Sequence, residues 1–76
     1  MSASLLDLKG LQCPLPVLRA NKAIRGLEPG TVVEILVTDA SAPKDFRSFC
    51  ETTGHDFLDV VEEGDAIRIT LRTRKA

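Results

Sequence analysis

The chain has no tryptophan and no tyrosine, and its three phenylalanines make up the whole aromatic content, 4% of 76 residues. So few aromatics exclude an exposed platform on which single-stranded nucleic acid could stack its bases. Charge gives such a ligand no help either. Ten Lys and Arg stand against eleven Asp and Glu, a formal net charge of −1, so no global positive field draws in a polyanion. No apolar run approaches the roughly 20 residues that a membrane-spanning helix needs. The opening Met1-Ser2-Ala3-Ser4 lacks the positive region and apolar run of a secretory signal. Two cysteines are too few for a disulfide scaffold, so a reducing, cytoplasmic setting with one working thiol is expected. Cys13, Cys50 and the single His55 stand at spacings that match no metal-ligand pattern. No metal and no other cofactor is expected.

What is present reads as one domain over residues 1–76, with a hydrophobic fraction of 43% ordinary for a globular core. Leu5 to Leu8 is a short apolar run, read as a strand and closed by a turn at Lys9-Gly10. From Pro14 the period becomes helical, with Val17, Ala20 (or Asn21), Ile24 and Leu27 at spacings of three and four. Gly26 and Pro29-Gly30 end that helix. Thr31 to Thr38 is rich in β-branched residues, with Val33, Ile35 and Val37 on one face. Ser41 is a candidate N-cap for a second helix carrying Pro43 in its first turn. Phe46, Phe49, Cys50 and Thr53 form its apolar stripe, and Gly54 stops it. Asp56 to Glu62 and Ala66 to Thr73 are two more strands around the turn Glu63-Gly64-Asp65. The order β-α-β-α-β-β predicts a two-layer α/β sandwich, a four-stranded mixed sheet with both helices on one face and its last two strands antiparallel. The other face should be partly solvated.

One stretch breaks a local rule. Gly10-Leu11-Gln12-Cys13-Pro14-Leu15-Pro16 places Cys13 directly before the first helix, at the N-cap, where Ser, Thr, Asp or Asn would stabilise best. A helix N-terminus carries partial positive charge and unpaired N–H donors. Both favour thiolate over thiol and make a cysteine reactive near neutral pH. Pro14 and Pro16 have no N–H, so the amides of Leu15 and Val17 are the expected local partners of a sulfur at Cys13. A low pKa serves both halves of a sulfur relay: the thiolate attacks a donor persulfide, and the same sulfur later leaves readily. The structural alternative is a small buried cysteine beside a proline-initiated helix.

The stretch Leu6 to Leu18, with Cys-Pro-x-Pro at the helix start, resembles the signature of the TusA/SirA-like sulfur-carrier family. The resemblance continues through Val37-Thr38-Asp39, Asp45-Phe46, Phe49-Cys50 and Gly54-His55. It implies a sulfurtransferase or carrier that needs protein partners. Persulfide sulfur would come from a cysteine desulfurase or rhodanese-like donor and pass to an acceptor in tRNA thiolation, cofactor synthesis or sulfur metabolism. The family's active cysteine maps onto Cys13, with Pro14 and Pro16 as its motif partners. Two departures are visible. Ala40 follows Asp39 where members often have proline. Leu15 stands where the best-known tRNA-thiolation members carry an acidic residue, which counts against that pathway.

Other residues carry weaker signals. Cys50, within the apolar stripe, is expected in the core rather than as a resolving thiol. His55 is expected to meet the last carbonyls of its helix, and Asp39 to sit in a turn. Arg19, Lys22 and Arg25 recur every three residues and would dock an acidic partner or simply face solvent. A monomer without stable nucleic-acid or membrane contact is expected. The competing class is a non-catalytic RNA-binding or regulatory module. No Gly-x-x-Gly clamp, almost no aromatics and a slightly acidic charge argue against it.

Overall fold

The computed structural model describes residues 3–12 and 14–74. Six elements follow one another: β1 (Ala3–Asp7), α1 (Leu15–Ile24), β2 (Val32–Val37), α2 (Ala42–Thr53), β3 (Asp56–Glu63) and β4 (Ala66–Arg72). The strands form one sheet in the order β1-β2-β4-β3. β1 runs parallel to β2, whereas β2–β4 and β3–β4 are antiparallel. This is the mixed α/β sheet that the element order predicts. The sequence left the strand order open, and β4 proves to lie between β2 and β3.

Alternation decides which face is covered. Val33, Ile35 and Val37 are wholly buried, while Val32, Glu34 and Leu36 between them are partly open. The register sets Ile35 beside Leu6 on one side and Ile69 on the other, and Val33 beside Leu71. A row of branched side chains therefore crosses the sheet on one face. Ala20 and Ile24 of α1, with Phe46, Phe49 and Cys50 of α2, close over that row in one buried cluster. Phe46 and Phe49 meet edge to face at 6.2 Å between centroids, a favoured aromatic geometry.

The uncovered face is polar where strands meet. Arg68 of β4 reaches Glu34 of β2 at 2.9 Å and Glu63 at the end of β3 at 3.1 Å, so one guanidinium spans three strands. β3 carries an extra residue, Leu58, where Phe57 and Asp59 face the consecutive pair Leu71 and Thr70. Such a bulge bends an edge strand and blunts it as a pairing template. The β3–β4 loop is only Gly64-Asp65, with Glu63 paired to Ala66. Gly64 has φ 61, and no non-glycine among the described residues has positive φ. Glycine at the first loop position is the requirement of a type II′ hairpin turn.

Helix ends follow their local chemistry with one exception. Gly54 closes α2 in the left-handed region at φ 87, its N–H bonded to the Cys50 carbonyl. Ser41 holds the N-cap position of α2 without capping it. Its hydroxyl donates to Asp39 Oδ1 at 2.8 Å instead.

Replacing Phe46 with alanine should cost about 3–5 kcal/mol, the usual cost of emptying a fully buried aromatic site. A domain of this size has roughly 4–11 kcal/mol in all. Urea unfolding should therefore show a large loss for Phe46→Ala and about 0.5–1.5 kcal/mol for Ile35→Val. Equal midpoints for the two variants would remove Phe46 from the centre of the core.

Candidate functional site

Parallel pairing of β1 and β2 puts their carboxyl ends side by side. The chain leaves β1 toward α1 through residues 8–14, and leaves β2 toward α2 through residues 38–41. Two bonds tie these connections together. Leu8 N–H donates to the Leu36 carbonyl at 2.9 Å, extending the ladder by one residue. Gly10 N–H donates to Thr38 Oγ1 at 2.9 Å. Gly10 has φ 85, a conformation costly for any residue with a Cβ.

Between the two connections lies an open, polar cavity of about 490 Å³, lined by Gly10, Leu11, Gln12, Thr38, Asp39 and Ser41. Asp39 Oδ1 accepts both the N–H of Ser41 at 2.9 Å and its hydroxyl. These bonds hold the Asp39 carboxyl below the usual carboxylate value, because they favour its charged form. The turn expected at Asp39 is thus present and faces this cavity. The strands' carboxyl ends, where open α/β sheets place their ligands, are the signal that would have found Thr38, Ser41 and Gln12 from sequence.

Cys13 lies outside the described residues, between the cavity-lining Gln12 and Pro14. Its neighbours correct part of the sequence reading. α1 begins at Leu15, with Pro14 at the N-cap position and Pro16 at the second helical residue. Pro14 has φ −96 and ψ 14, outside the helical well. A turn closes first: Leu15 N–H donates to the Gln12 carbonyl at 2.9 Å, and the Pro14 carbonyl then accepts from Leu18 N–H at 3.1 Å. The Leu15 amide is therefore committed to the turn. Pro16 is fully buried and serves packing, at a helical position where a missing N–H costs little.

The rest of the first helix divides by face. Val17 packs against the core. Leu15 and Leu18 are 44% and 58% exposed, two aliphatic side chains open to solvent within five residues of Cys13. Arg19, Lys22 and Arg25 are all exposed. Arg25 sits at the C-terminal cap of α1, about 9 Å along the axis from Arg19 at 1.5 Å per residue. The stripe thus does not converge on the cavity beside Cys13.

Cys50 and His55 belong elsewhere. Cys50 is buried in the core cluster. Burial first, then the Asp56 carboxylate, push its thiol up to about 11, which keeps it protonated and unreactive near neutral pH. His55 lies past the far end of α2, about 18 Å along a 12-residue helix from its start. Its Nδ1 accepts the Arg74 N–H at 2.9 Å instead of its ring meeting the helix carbonyls, and its ring lies 5.4 Å from that of Phe49. Burial, then the Arg74 charge, lower its pKa, with Asp56 acting against them.

Comparison with known proteins places these features in a family. Residues 4–73 match the family described as sulfurtransferase TusA. A relative from Neisseria meningitidis is 43% identical over 72 residues, 95% of this chain and 97% of its own. The sulfur carrier protein TusA of Allochromatium vinosum is 37% identical over 67 residues, 88% of each chain. The crystal structure of a SirA-like protein from Desulfitobacterium hafniense superposes with a TM-score of 0.81 at 28% identity, covering 95% of this chain and 99% of that one.

Two measurements check the geometry. Thr38→Val removes the acceptor of the Gly10 N–H and should cost about 0.5–1.5 kcal/mol, with faster hydrogen exchange at the Gly10 amide. Thr38→Ser should restore the protection. If the Gly10 amide exchanges alike in all three proteins, the bond does not tie the two connections. For His55, the folded pKa lies below the unfolded value of 6.5. Its contribution to stability is then complete above about pH 6.5 and is lost as pH falls through the folded value. Chemical denaturation from about pH 8 to 5 should show a steeper decline for wild type than for His55→Asn, whose amide oxygen can still accept. Parallel curves would remove the histidine from this linkage.

Proposed function

The chain belongs to the sulfurtransferase TusA family, and from that premise we propose that it carries sulfur as a persulfide on Cys13. The observation that supports this most is the family match over residues 4–73, which spans the whole Gly10 to Val17 stretch. In the proposed loading step the Cys13 thiolate attacks the outer sulfur of a donor protein's persulfide. The donor's S–S bond breaks, the donor thiolate leaves, and a Cys13 persulfide forms. In unloading, an acceptor thiolate attacks the outer sulfur and the Cys13 thiolate leaves. The sulfane sulfur changes partners without net oxidation, so neither step needs an external oxidant or a cofactor.

The surroundings of Cys13 suit these steps. With Leu15 N–H bonded to Gln12 and no N–H on Pro14 or Pro16, the Val17 amide and the α1 dipole are the local features assigned to stabilising the thiolate. The open cavity lined by Gln12, Thr38 and Asp39 gives an incoming thiol a route. Leu15 and Leu18, exposed beside the site, supply an apolar centre for docking, with Arg19 and Lys22 as its charged rim. Donor proteins of the cysteine desulfurase or rhodanese type fit the loading chemistry, and the reaction suits the reducing cytoplasm. Leu15, apolar in this chain, favours acceptors in cofactor synthesis or sulfur metabolism over tRNA thiolation.

The test is intact mass after incubation with a cysteine desulfurase and cysteine, and separately with polysulfide. Wild type should gain one sulfur atom, removable by dithiothreitol, and Cys13→Ser should gain none. The buried Cys50 should stay unmodified in the native protein. Labelling of Cys50 with Cys13 untouched, under polysulfide, would overturn the proposal.

A further inference from the structure

The far end of the helix layer carries a second cavity of about 490 Å³, lined from α1 by Asn21, Ile24 and Arg25, and from α2 and the chain beyond it by Thr52, Thr53 and His55. Thr73 and Arg74 close it below. α2 runs from the Cys13 end of the fold toward this one, so the cavity is separate from the site described above.

Its floor is rigid. Thr73 Oγ1 donates to the Glu28 carbonyl at 2.9 Å and accepts the Thr31 N–H at 2.9 Å. Thr31 Oγ1 donates to the same carbonyl at 2.6 Å, and both threonines are buried. The Arg74 backbone is then fixed by its N–H to His55 Nδ1. Because Nδ1 accepts, the neutral ring carries its proton on Nε2.

Its charged side chains have one sign. Arg25 and Arg74 line it, no carboxylate does so among the described residues, and neither arginine forms an ion pair among them. Asp56, which acts on His55, is paired with Arg72 at 3.4 Å and lines a neighbouring cavity instead. The two helix C-termini that end here contribute roughly half a negative charge each. Against two guanidinium groups this leaves the cavity positive by about one charge, in a chain whose own net charge is −1. Guanidinium forks, the Asn21 amide and the Thr52 hydroxyl suit an anion with several oxygens.

We propose that this cavity binds a small tetrahedral oxyanion of the phosphate or sulfate class, held between Arg25 and Arg74 beside Thr73. The site is independent of sulfur loading at Cys13.

The test is titration of inorganic phosphate, and separately sulfate, followed by amide NMR at constant ionic strength. The Thr52, Thr53, His55 and Arg74 signals should move saturably, and chloride should not reproduce the shifts. Arg25→Gln and Arg74→Gln, both exposed positions whose folding the same spectra report, should each weaken binding roughly tenfold. Cys13→Ser should bind as wild type does. Non-saturating shifts, shifts matched by chloride, or binding unchanged in both arginine variants would overturn the proposal. So would a short RNA, at equal phosphate concentration, moving these amides where inorganic phosphate does not.

Discussion

Everything in this fold hangs on the hydrogen bonding of β2 along both its edges. A strand bonded on both sides and buried on one whole face has a single workable register, since a slip of one residue would turn Val33, Ile35 and Val37 to solvent and Glu34 into the core. Its two neighbours differ in direction, and the difference creates the chemistry. The antiparallel β4 starts beside the end of β2 and returns toward its start, so it brings to that edge only the two-residue hairpin loop from β3. The parallel β1 ends where β2 ends, so two connections meet at one edge. The Gly10–Thr38 bond and the cavity around Gln12 and Asp39 follow from that meeting.

The same architecture gives the two cysteines different places in the chain. Cys50 sits on the sheet-facing side of α2, where burial raises its pKa and packing contacts surround it. Cys13 stands in a connection, beside exposed Gln12 and Pro14. A thiol proposed to pass sulfur between proteins has to be reachable from both, which the buried Cys50 is not. Pro16, fully buried one turn later, anchors the start of α1 so that an exposed stretch is followed at once by a fixed one.

Much of this was legible in the residues. Alternation in Thr31 to Thr38 gave a strand whose inward face, Val33, Ile35 and Val37, is the one observed, because a period of two admits one reading once a core is assumed. Gly54 marked the end of α2 through its conformational freedom alone. The order of strands was not legible, since hydropathy says that β4 has a covered face and says nothing of which neighbours it has. The start of α1 was misread by one residue. Two prolines fix φ but do not choose which turn closes first, and the Gln12–Leu15 turn decided it. The Ser41 hydroxyl turned to Asp39 for a similar reason: two short polar side chains two residues apart satisfy each other before either caps a helix. The basic stripe of α1 runs along the helix, and the rise of about 1.5 Å per residue carries Arg25 to the opposite end from the Cys13 connection, while a period of three against 3.6 residues per turn also winds the row around the axis.

The position of β4 also has a consequence for biosynthesis. β3 is bonded to the sheet only through β4, and β4 is the last element of the fold to be made. Until residues 66–72 have emerged, β2 lacks one partner and β3 lacks its only one. A nascent chain leaving the ribosome therefore has no stopping point at which part of the sheet is worth keeping. The fold is completed in one late step, and until then the core lacks Ile69 and Leu71, the period in which a chaperone would have most to hold.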